Sequence, residues 1–145
     1  MYDVASETWG FLYYPMDAVE SPNGGSIFIS EIVALGNANF AVIERDNQAG
    51  LDARVKRIYR FSVAGLTPLP DCVGACAADA FPTVVKTLVR DLMPDLRSRG
   101  GAVIEKVEGL AVTADGRTLV HTDNDGVDGS NGETQYFDFG VLLLP

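Results

Sequence analysis

The strongest candidate for chemistry in this sequence is a run of carboxylates near its C-terminal end. Asp123, Asn124 and Asp125 are adjacent, and Asp128 and Glu133 follow among glycines. Carboxylate and amide oxygens are the ligands that Ca²⁺ prefers, at about six to eight per ion. The spacing differs from that of an EF-hand loop, so a calcium site at Asp123, Asn124 and Asp125 is predicted from composition. The alternative is a solvated acidic turn between two strands.

A shorter acidic run lies upstream, where Glu44, Arg45, Asp46 and Asn47 are consecutive. It repeats the pattern with fewer acids. Arg45 has the planar guanidinium that suits a phosphate group. The alternative for Arg45 is a surface ion pair with Glu44 or Asp46, and both interpretations stay open.

Three further residues deserve a chemical interpretation. Glu31 and Glu108 begin corresponding strands, where they either form a ring of inward carboxylates that bind a metal or water, or lie in solvent. His121 is the only histidine, and a half-buried strand residue is favoured over a catalytic role. Gly-x-Ser-x-Gly, phosphate-loop and His-Glu-x-x-His motifs are missing from the sequence, so a serine nucleophile has no support.

An internal repeat organises the elements that carry these residues. The segment Glu31–Asn47 superposes without a gap on Glu108–Asn124, at a spacing of 77 residues. The second copy contains Ala114-Asp115-Gly116-Arg117, and an Asp-Gly pair suits the positive φ angles of a hairpin turn. Both copies are therefore predicted to be β-hairpins that end in acidic residues.

The remaining segments indicate an all-β class. Aromatic and β-branched residues favour strands over helices. Predicted strands beside the hairpins are 8–14, 26–30, 54–63 and 134–144, and 83–96 is predicted to be a strand followed by a short helical turn. In the strand at 54–63, Arg54, Lys56 and Arg60 alternate on one face and are expected in solvent.

The repeat length predicts the architecture. If an irregular insertion at about 64–82 is set aside, each repeat holds one four-stranded unit, as in a β-propeller blade. We therefore expect residues 1–145 to form a partial β-propeller domain of about two blades. Two blades cannot close a ring, so further blades of a longer chain, or self-association, would complete it.

Composition excludes several classes of partner. The chain has 145 residues, a formal net charge of −9 and a sequence pI near 4.4. Phosphate backbones recruit Lys and Arg, so nucleic acid is not an expected partner. No apolar run is long enough to span a membrane, and Met1–Pro15 lacks the features of a secretory signal.

Two cysteines, Cys72 and Cys76, lie inside the predicted insertion. A disulfide would close only a short loop and would stabilise the fold less than a longer one. An exported disulfide and a reduced pair both remain open. A zinc site is not expected, because no further Cys or His lies nearby.

Several motifs together resemble one family, the phytase-like domain described as esterase-like activity of phytase. They span nearly the whole chain: Tyr-Asp-Val with Thr-Trp-Gly-Phe-Leu-Tyr-Tyr-Pro (2–15), Ala-Val-Ile-Glu-Arg-Asp (41–46), Arg-Ile-Tyr-Arg-Phe (57–61), Val-Glu-Gly-Leu-Ala (107–111) and Asp-Asn-Asp-Gly (123–126). The resemblance implies an exported, propeller-like protein with phosphoester hydrolase activity, of which this chain is the C-terminal part. Thr122 stands where the family pattern leads us to expect Asn.

From that resemblance we predict metal-assisted hydrolysis of a phosphorylated small molecule. The predicted catalytic residues are Glu44, Glu108 and Asp123, the phosphate partner is Arg45, and the metal ligands are Asp46, Asp123, Asn124 and Asp125, with Ca²⁺ as the ion. An acidic protein needs divalent cations to bridge it to a polyanion and to activate water. The alternative is a non-catalytic binding module whose acidic loops are stabilised by calcium.

Overall fold

A computed structural model describes residues 1–70, 80–98, 103–123 and 134–143. The elements in these ranges are β1 (Tyr2–Asp3), β2 (Thr8–Phe11), β3 (Ile27–Gly36), β4 (Asn39–Asp46), β5 (Lys56–Ser62), β6 (Leu69–Pro70), β7 (Lys86–Asp91), α1 (Met93–Ser98), β8 (Val107–Val112), β9 (Arg117–Thr122) and β10 (Tyr136–Val141). The all-β class is confirmed. Both Cys72 and Cys76 lie outside the described residues, as does much of the predicted insertion.

The largest sheet is an antiparallel meander of four strands in the order β3-β4-β5-β7. Its first hairpin turns at Asn37 and Ala38, which have φ angles of 49° and 61°. The strand predicted after residue 83 forms as β7, and α1 follows it as the expected helical turn. The order of strands is that of one propeller blade.

The second sheet has three antiparallel strands in the order β10-β9-β8. Its hairpin turns where the sequence predicted, with Gly116 at a φ of 84° and a bond from its N–H to the Thr113 carbonyl. Strand β10 forms within the predicted closing strand. Both predicted hairpins are confirmed, whereas the closed propeller stays a prediction.

A small third sheet, β1-β2-β6, brings the N-terminal residues beside Leu69 and Pro70. After β2, the chain crosses one face of the four-stranded sheet. Tyr13 forms an isolated parallel bridge with Thr83, next to the start of β7. This crossing places Tyr14 and Asp17 over β4 and β5.

The main core fills the space between the two larger sheets. It combines Ile43 and Ile58 of the first sheet with Leu110, Val120 and Phe137 of the second. Ser30 Oγ donates a hydrogen bond of 2.7 Å to the Val107 carbonyl, which joins β3 to β8. A smaller apolar cluster occupies the opposite face of the four-stranded sheet, so that its central strands β4 and β5 are largely buried on both sides.

Burial on both faces corrects the prediction for β5. Lys56 was expected in solvent, but it is completely buried, as is Ile58 two residues later on the same face. The face is covered because the second sheet packs against it. The alternation along the strand correctly placed Lys56 and Ile58 on one face. It did not show that a second sheet covers that face.

The strand pairing also corrects the repeat spacing. Val42 pairs with Tyr59 in the first sheet, and Val120 pairs with Phe137 in the second. The irregularity between Ile29 and Glu31 matches the one between Val107 and Gly109 at a spacing of 78 residues. The structural repeat is therefore one residue longer than 77, and Phe137 is the counterpart of Tyr59. A shift of one residue exchanges the two faces of a strand.

The corrected register separates Glu31 from Glu108. Glu31 lies opposite Ile43, whereas Glu108 occupies an irregularity between Val107 and Gly109. These glutamates do not hold equivalent positions, so a ring of equivalent carboxylates does not follow from them.

Within the described residues, no helix is long and apolar enough to cross a membrane.

Candidate functional site

The first candidate site is an ionic cluster between the two larger sheets. Arg45 of β4 donates from Nη2 to Glu108 at 2.5 Å and from Nη1 to Glu105 at 3.1 Å. These three residues are called the inter-sheet cluster. The Glu108 side chain keeps 31% of its surface exposed, against 10% for Arg45. Glu108 is thus the member of the cluster that solvent reaches most easily.

Among the described residues, Arg45 forms its ion pairs with Glu105 and Glu108, and its one contact with a sequence neighbour is a bond of 3.5 Å from Nη1 to the Asp46 carbonyl. The predicted surface ion pair with Glu44 or Asp46 is wrong, because Arg45 is buried and both of its carboxylate partners come from the segment around β8. Phe28 lies 5.7 Å from the guanidinium carbon. Arg45 Nε is also buried and has no hydrogen-bond partner among the described residues.

Asp46 belongs to a separate buried pair. Its Oδ1 accepts from Lys56 Nζ at 2.8 Å, and its Oδ2 accepts from the backbone N–H groups of Arg54 and Val55. Burial opposes the charged carboxylate, but these donors outweigh it and lower the pKa of Asp46. Both carboxylate oxygens of this predicted metal ligand are therefore engaged by internal donors.

Glu44 lies on the opposite face of β4 from Arg45, because adjacent strand residues point to opposite sides. It is completely buried. Its Oε1 accepts from the Tyr14 hydroxyl at 2.6 Å and from Lys86 Nζ at 2.5 Å, and its Oε2 accepts from the Asp17 N–H at 2.8 Å.

Lys86 is enclosed by two carboxylates and two aromatic rings. Its Nζ lies 2.7 Å from Asp17 Oδ1 and 2.5 Å from Glu44 Oε1. The ring centroids of Tyr59 and Tyr14 lie 4.2 and 5.3 Å from the same nitrogen. We call these four surrounding residues the Lys86 cage.

The contacts in the cage shift the pKa values of Asp17 and Tyr14. Burial would raise the pKa of Asp17, but hydrogen bonds from Lys86, Tyr59 and Arg57 lower it to about 2. Burial raises the pKa of Tyr14, and its bond to Glu44 adds to the effect. Asp17 is therefore a carboxylate, and Tyr14 a neutral hydroxyl donor, over the physiological range.

The second acidic run is described only in part. Asp123 is exposed, and its N–H donates to the Lys106 carbonyl at 2.8 Å. Asn124 and Asp125 lie outside the described residues. In the parts of the chain that the structure describes, no group of three or more His, Cys, Asp or Glu side chains is arranged to hold a metal ion.

His121 is exposed and lies across Gly109 of the neighbouring strand. A Cβ atom on Gly109 would fall 1.8 Å from His121 Cε1, so the ring needs a glycine there. The expectation of a half-buried histidine is corrected to an exposed one.

Comparison with protein families gives one match. Residues 1–126 match the family described as Phytase-like: Esterase-like activity of phytase. The chain belongs to the phytase-like family. No curated protein and no solved structure matches it. Family membership confirms the resemblance seen in the sequence motifs.

Within this phytase-like chain, the structure brings Arg45 together with Glu108 and leaves Glu44 and Asp46 apart from them. Glu105, Asp17 and Lys86 were not predicted as site residues. Glu105 lies 60 positions from Arg45, and Asp17 and Lys86 lie 27 and 42 positions from Glu44 along the chain. No local motif marks such contacts.

Proposed function

We propose that this chain is the C-terminal part of a metal-assisted phosphoester hydrolase that acts on a phosphorylated small molecule. Membership of the phytase-like family over residues 1–126 carries the proposal. The inter-sheet cluster supports it, because it combines a guanidinium with a carboxylate that remains open to solvent.

In this proposal, Glu108 is the carboxylate that accepts a proton from attacking water. A general base must reach the proton that it removes, and Glu108 is the more exposed of the two glutamates that hold Arg45. Arg45 orients Glu108 through the bond from Nη2. The role predicted for Arg45 as phosphate partner stays a prediction, because both of its terminal nitrogens already donate to glutamates.

The proposed metal ion is Ca²⁺, near the end of β9. Glu44 and Asp46 fit this role poorly, because internal N–H, hydroxyl and ammonium donors already engage their oxygens. Asp123, together with Asn124 and Asp125, would hold the ion. A bound divalent cation would neutralise phosphate charge and lower the pKa of water. The roles predicted for Glu44 and Asp46 stay predictions.

The setting of the reaction is also a proposal. We propose that the protein is exported, and that further blades or self-association complete a propeller around the chain. The support is the strand order β3-β4-β5-β7, which is that of one blade, followed by the second meander.

The proposed activity is tested with phosphoester substrates on the purified chain and on any longer form that contains it. We expect Ca²⁺-dependent release of phosphate, with kcat/KM reduced about 100-fold or more by Glu108→Gln, since a general base contributes about 10²–10⁴. Glu31→Gln is the control for loss of a carboxylate, because Glu31 lies in the other hairpin and accepts a hydrogen bond from the N–H of Ile32 beside it. Equal rates for Glu108→Gln and the wild type would contradict the role of Glu108.

A second candidate function is a non-catalytic binding module. The observation in its favour is that Glu44, Asp46 and Asp17 all serve internal ion pairs. This candidate predicts no phosphate release from any form of the protein, with or without Ca²⁺.

A further inference from the structure

The Lys86 cage has the composition of a cation-binding site with a cation already in it. Glu44 is completely buried, and a buried carboxylate is costly unless it is paired and hydrogen-bonded. The ammonium of Lys86 bridges Glu44 and Asp17, at 2.5 and 2.7 Å. Four elements meet at this nitrogen: the crossing segment, β4, β5 and β7.

Charge in and around the cage is nearly balanced by the chain itself. Lys86 and Arg57 supply two positive charges, and Asp17, Glu44 and Glu20 supply three negative ones. Glu20 is 45% exposed and reaches solvent. The buried Glu44 and the half-buried Asp17 are thus matched by two cationic side chains, and the one excess negative charge lies on the exposed Glu20 side chain.

The walls of the cage suit an ammonium group better than a metal ion. The Tyr59 ring lies 4.2 Å from Nζ, within the range in which an aromatic face attracts a cation. Calcium requires about six to eight oxygen ligands. Both tyrosine hydroxyls point to carboxylates, at 2.6 Å from Tyr14 to Glu44 and 2.5 Å from Tyr59 to Asp17.

We infer that the Lys86 cage is a cation site whose permanent occupant is the chain's own ammonium group. Lys86 takes the place that a dissociable Ca²⁺ ion would need if Glu44 were its ligand. Glu44 and Asp17 therefore fasten the crossing segment to the sheet without any metal. This inference concerns the cage alone, so it stands or falls separately from the proposed hydrolase activity.

The first test compares Ca²⁺ binding by the wild-type chain and by Glu44→Gln, with isothermal titration calorimetry. The inference predicts equal Ca²⁺ affinity for both, whatever the acidic run at Asp123 contributes. A tenfold or larger loss of affinity in Glu44→Gln would overturn it, because Glu44 would then be a calcium ligand.

The second test removes the resident cation with Lys86→Met. We expect a lower Tm than the wild type, and a rise of about 5 °C when NH₄Cl replaces NaCl at the same ionic strength, since a cation that binds only the folded state stabilises it. The control Arg97→Met removes one positive charge from an exposed helix position and should show no added response to NH₄Cl. Lys86→Arg should behave as the wild type does.

The double variant Lys86→Met, Glu44→Gln should lose the response to NH₄Cl. A folded Lys86→Met protein whose Tm does not differ between NH₄Cl and NaCl would overturn the idea that the cage is a cation site. If Lys86→Met does not fold in either salt, the comparison of Glu44→Gln with the wild type decides the question alone.

Discussion

Buried charges in this chain are held by partners from distant parts of the sequence. Asp46 pairs with Lys56, Glu44 and Asp17 share Lys86, and the donors at each carboxylate include backbone N–H groups or hydroxyls. Removing one partner of a buried pair leaves an uncompensated charge, which costs about 3–5 kcal/mol. The main effect of single substitutions at these sites should therefore be a loss of stability of the fold, and any effect on activity should be secondary.

Asp17→Asn should destabilise the fold in a pH-dependent way. The folded pKa of Asp17 is about 2, below its ordinary value of 3.8. Its ionised form therefore stabilises the fold above about pH 4, and this contribution is lost as the pH falls towards 2. We expect Asp17→Asn to lose about 2 kcal/mol at pH 7 and much less near pH 2.

Urea unfolding of the wild type and Asp17→Asn between pH 7 and pH 2 checks this expectation. The control is Asp52→Asn, a partly exposed carboxylate outside the cage. A loss of stability that is the same at every pH would show that the effect of Asp17→Asn does not come from its charge.

Gly109→Ala should lower stability because the new Cβ would collide with the His121 ring, at 1.8 Å from Cε1. The histidine is exposed and its ring can turn away, so we expect a loss of only about 1 kcal/mol. Thermal unfolding of Gly109→Ala, His121→Ala and the double variant measures the coupling. The double variant should match His121→Ala, and a further loss in it would point to another clash.

The two hairpin turns differ in how well their residues suit positive φ angles. The first hairpin uses Asn37-Ala38, with both residues at positive φ. Two-residue turns of this kind favour Asn-Gly, because glycine reaches positive φ without a steric penalty. The second hairpin has Gly116 at the residue of its turn that requires positive φ. Ala38 is therefore a strained position in an otherwise well-matched element.

Ala38→Gly should stabilise the four-stranded sheet by about 0.5 kcal/mol, because relief of strain at positive φ exceeds the entropy that glycine adds to the unfolded chain. The matched control is Ala34→Gly within β3, which should destabilise it. Chemical unfolding of both variants measures the difference. A loss of stability in Ala38→Gly would mean that Ala38 is not strained.

The two larger sheets share one apolar core. Phe137 of β10 and Ile58 of β5 both belong to it. Ser30 of β3 adds a hydrogen bond to the Val107 carbonyl across the same boundary. Since neither sheet has its inner face covered without the other, the pair should unfold together.

Phe137→Ala should destabilise the protein by about 3–5 kcal/mol, as expected for a buried aromatic residue. Its neighbour Tyr136 is 54% exposed, so Tyr136→Ala is a matched control that should cost much less. Circular dichroism and hydrogen exchange at the amides of β4 and β9 should report one transition for each variant. Two separate transitions would show that the sheets fold independently.

The all-β class, both hairpins and the change from strand to helix at β7 and α1 could be predicted from the sequence. These features depend on local properties: alternation of apolar residues, turn residues and β propensity act over a few neighbouring positions. The family was also visible in the sequence, because its motifs are short runs of residues that can be compared directly.

The environment of each charged residue depends on tertiary packing and could not be predicted from the sequence. Lys56 is buried because a second sheet covers its strand, and Lys86 meets Asp17 across 69 positions of the chain. The repeat register also required the strand pairing, because a shift of one residue changes the face of every side chain while leaving the apolar pattern similar. Contacts between distant segments depend on packing, and no local pattern in the sequence encodes them.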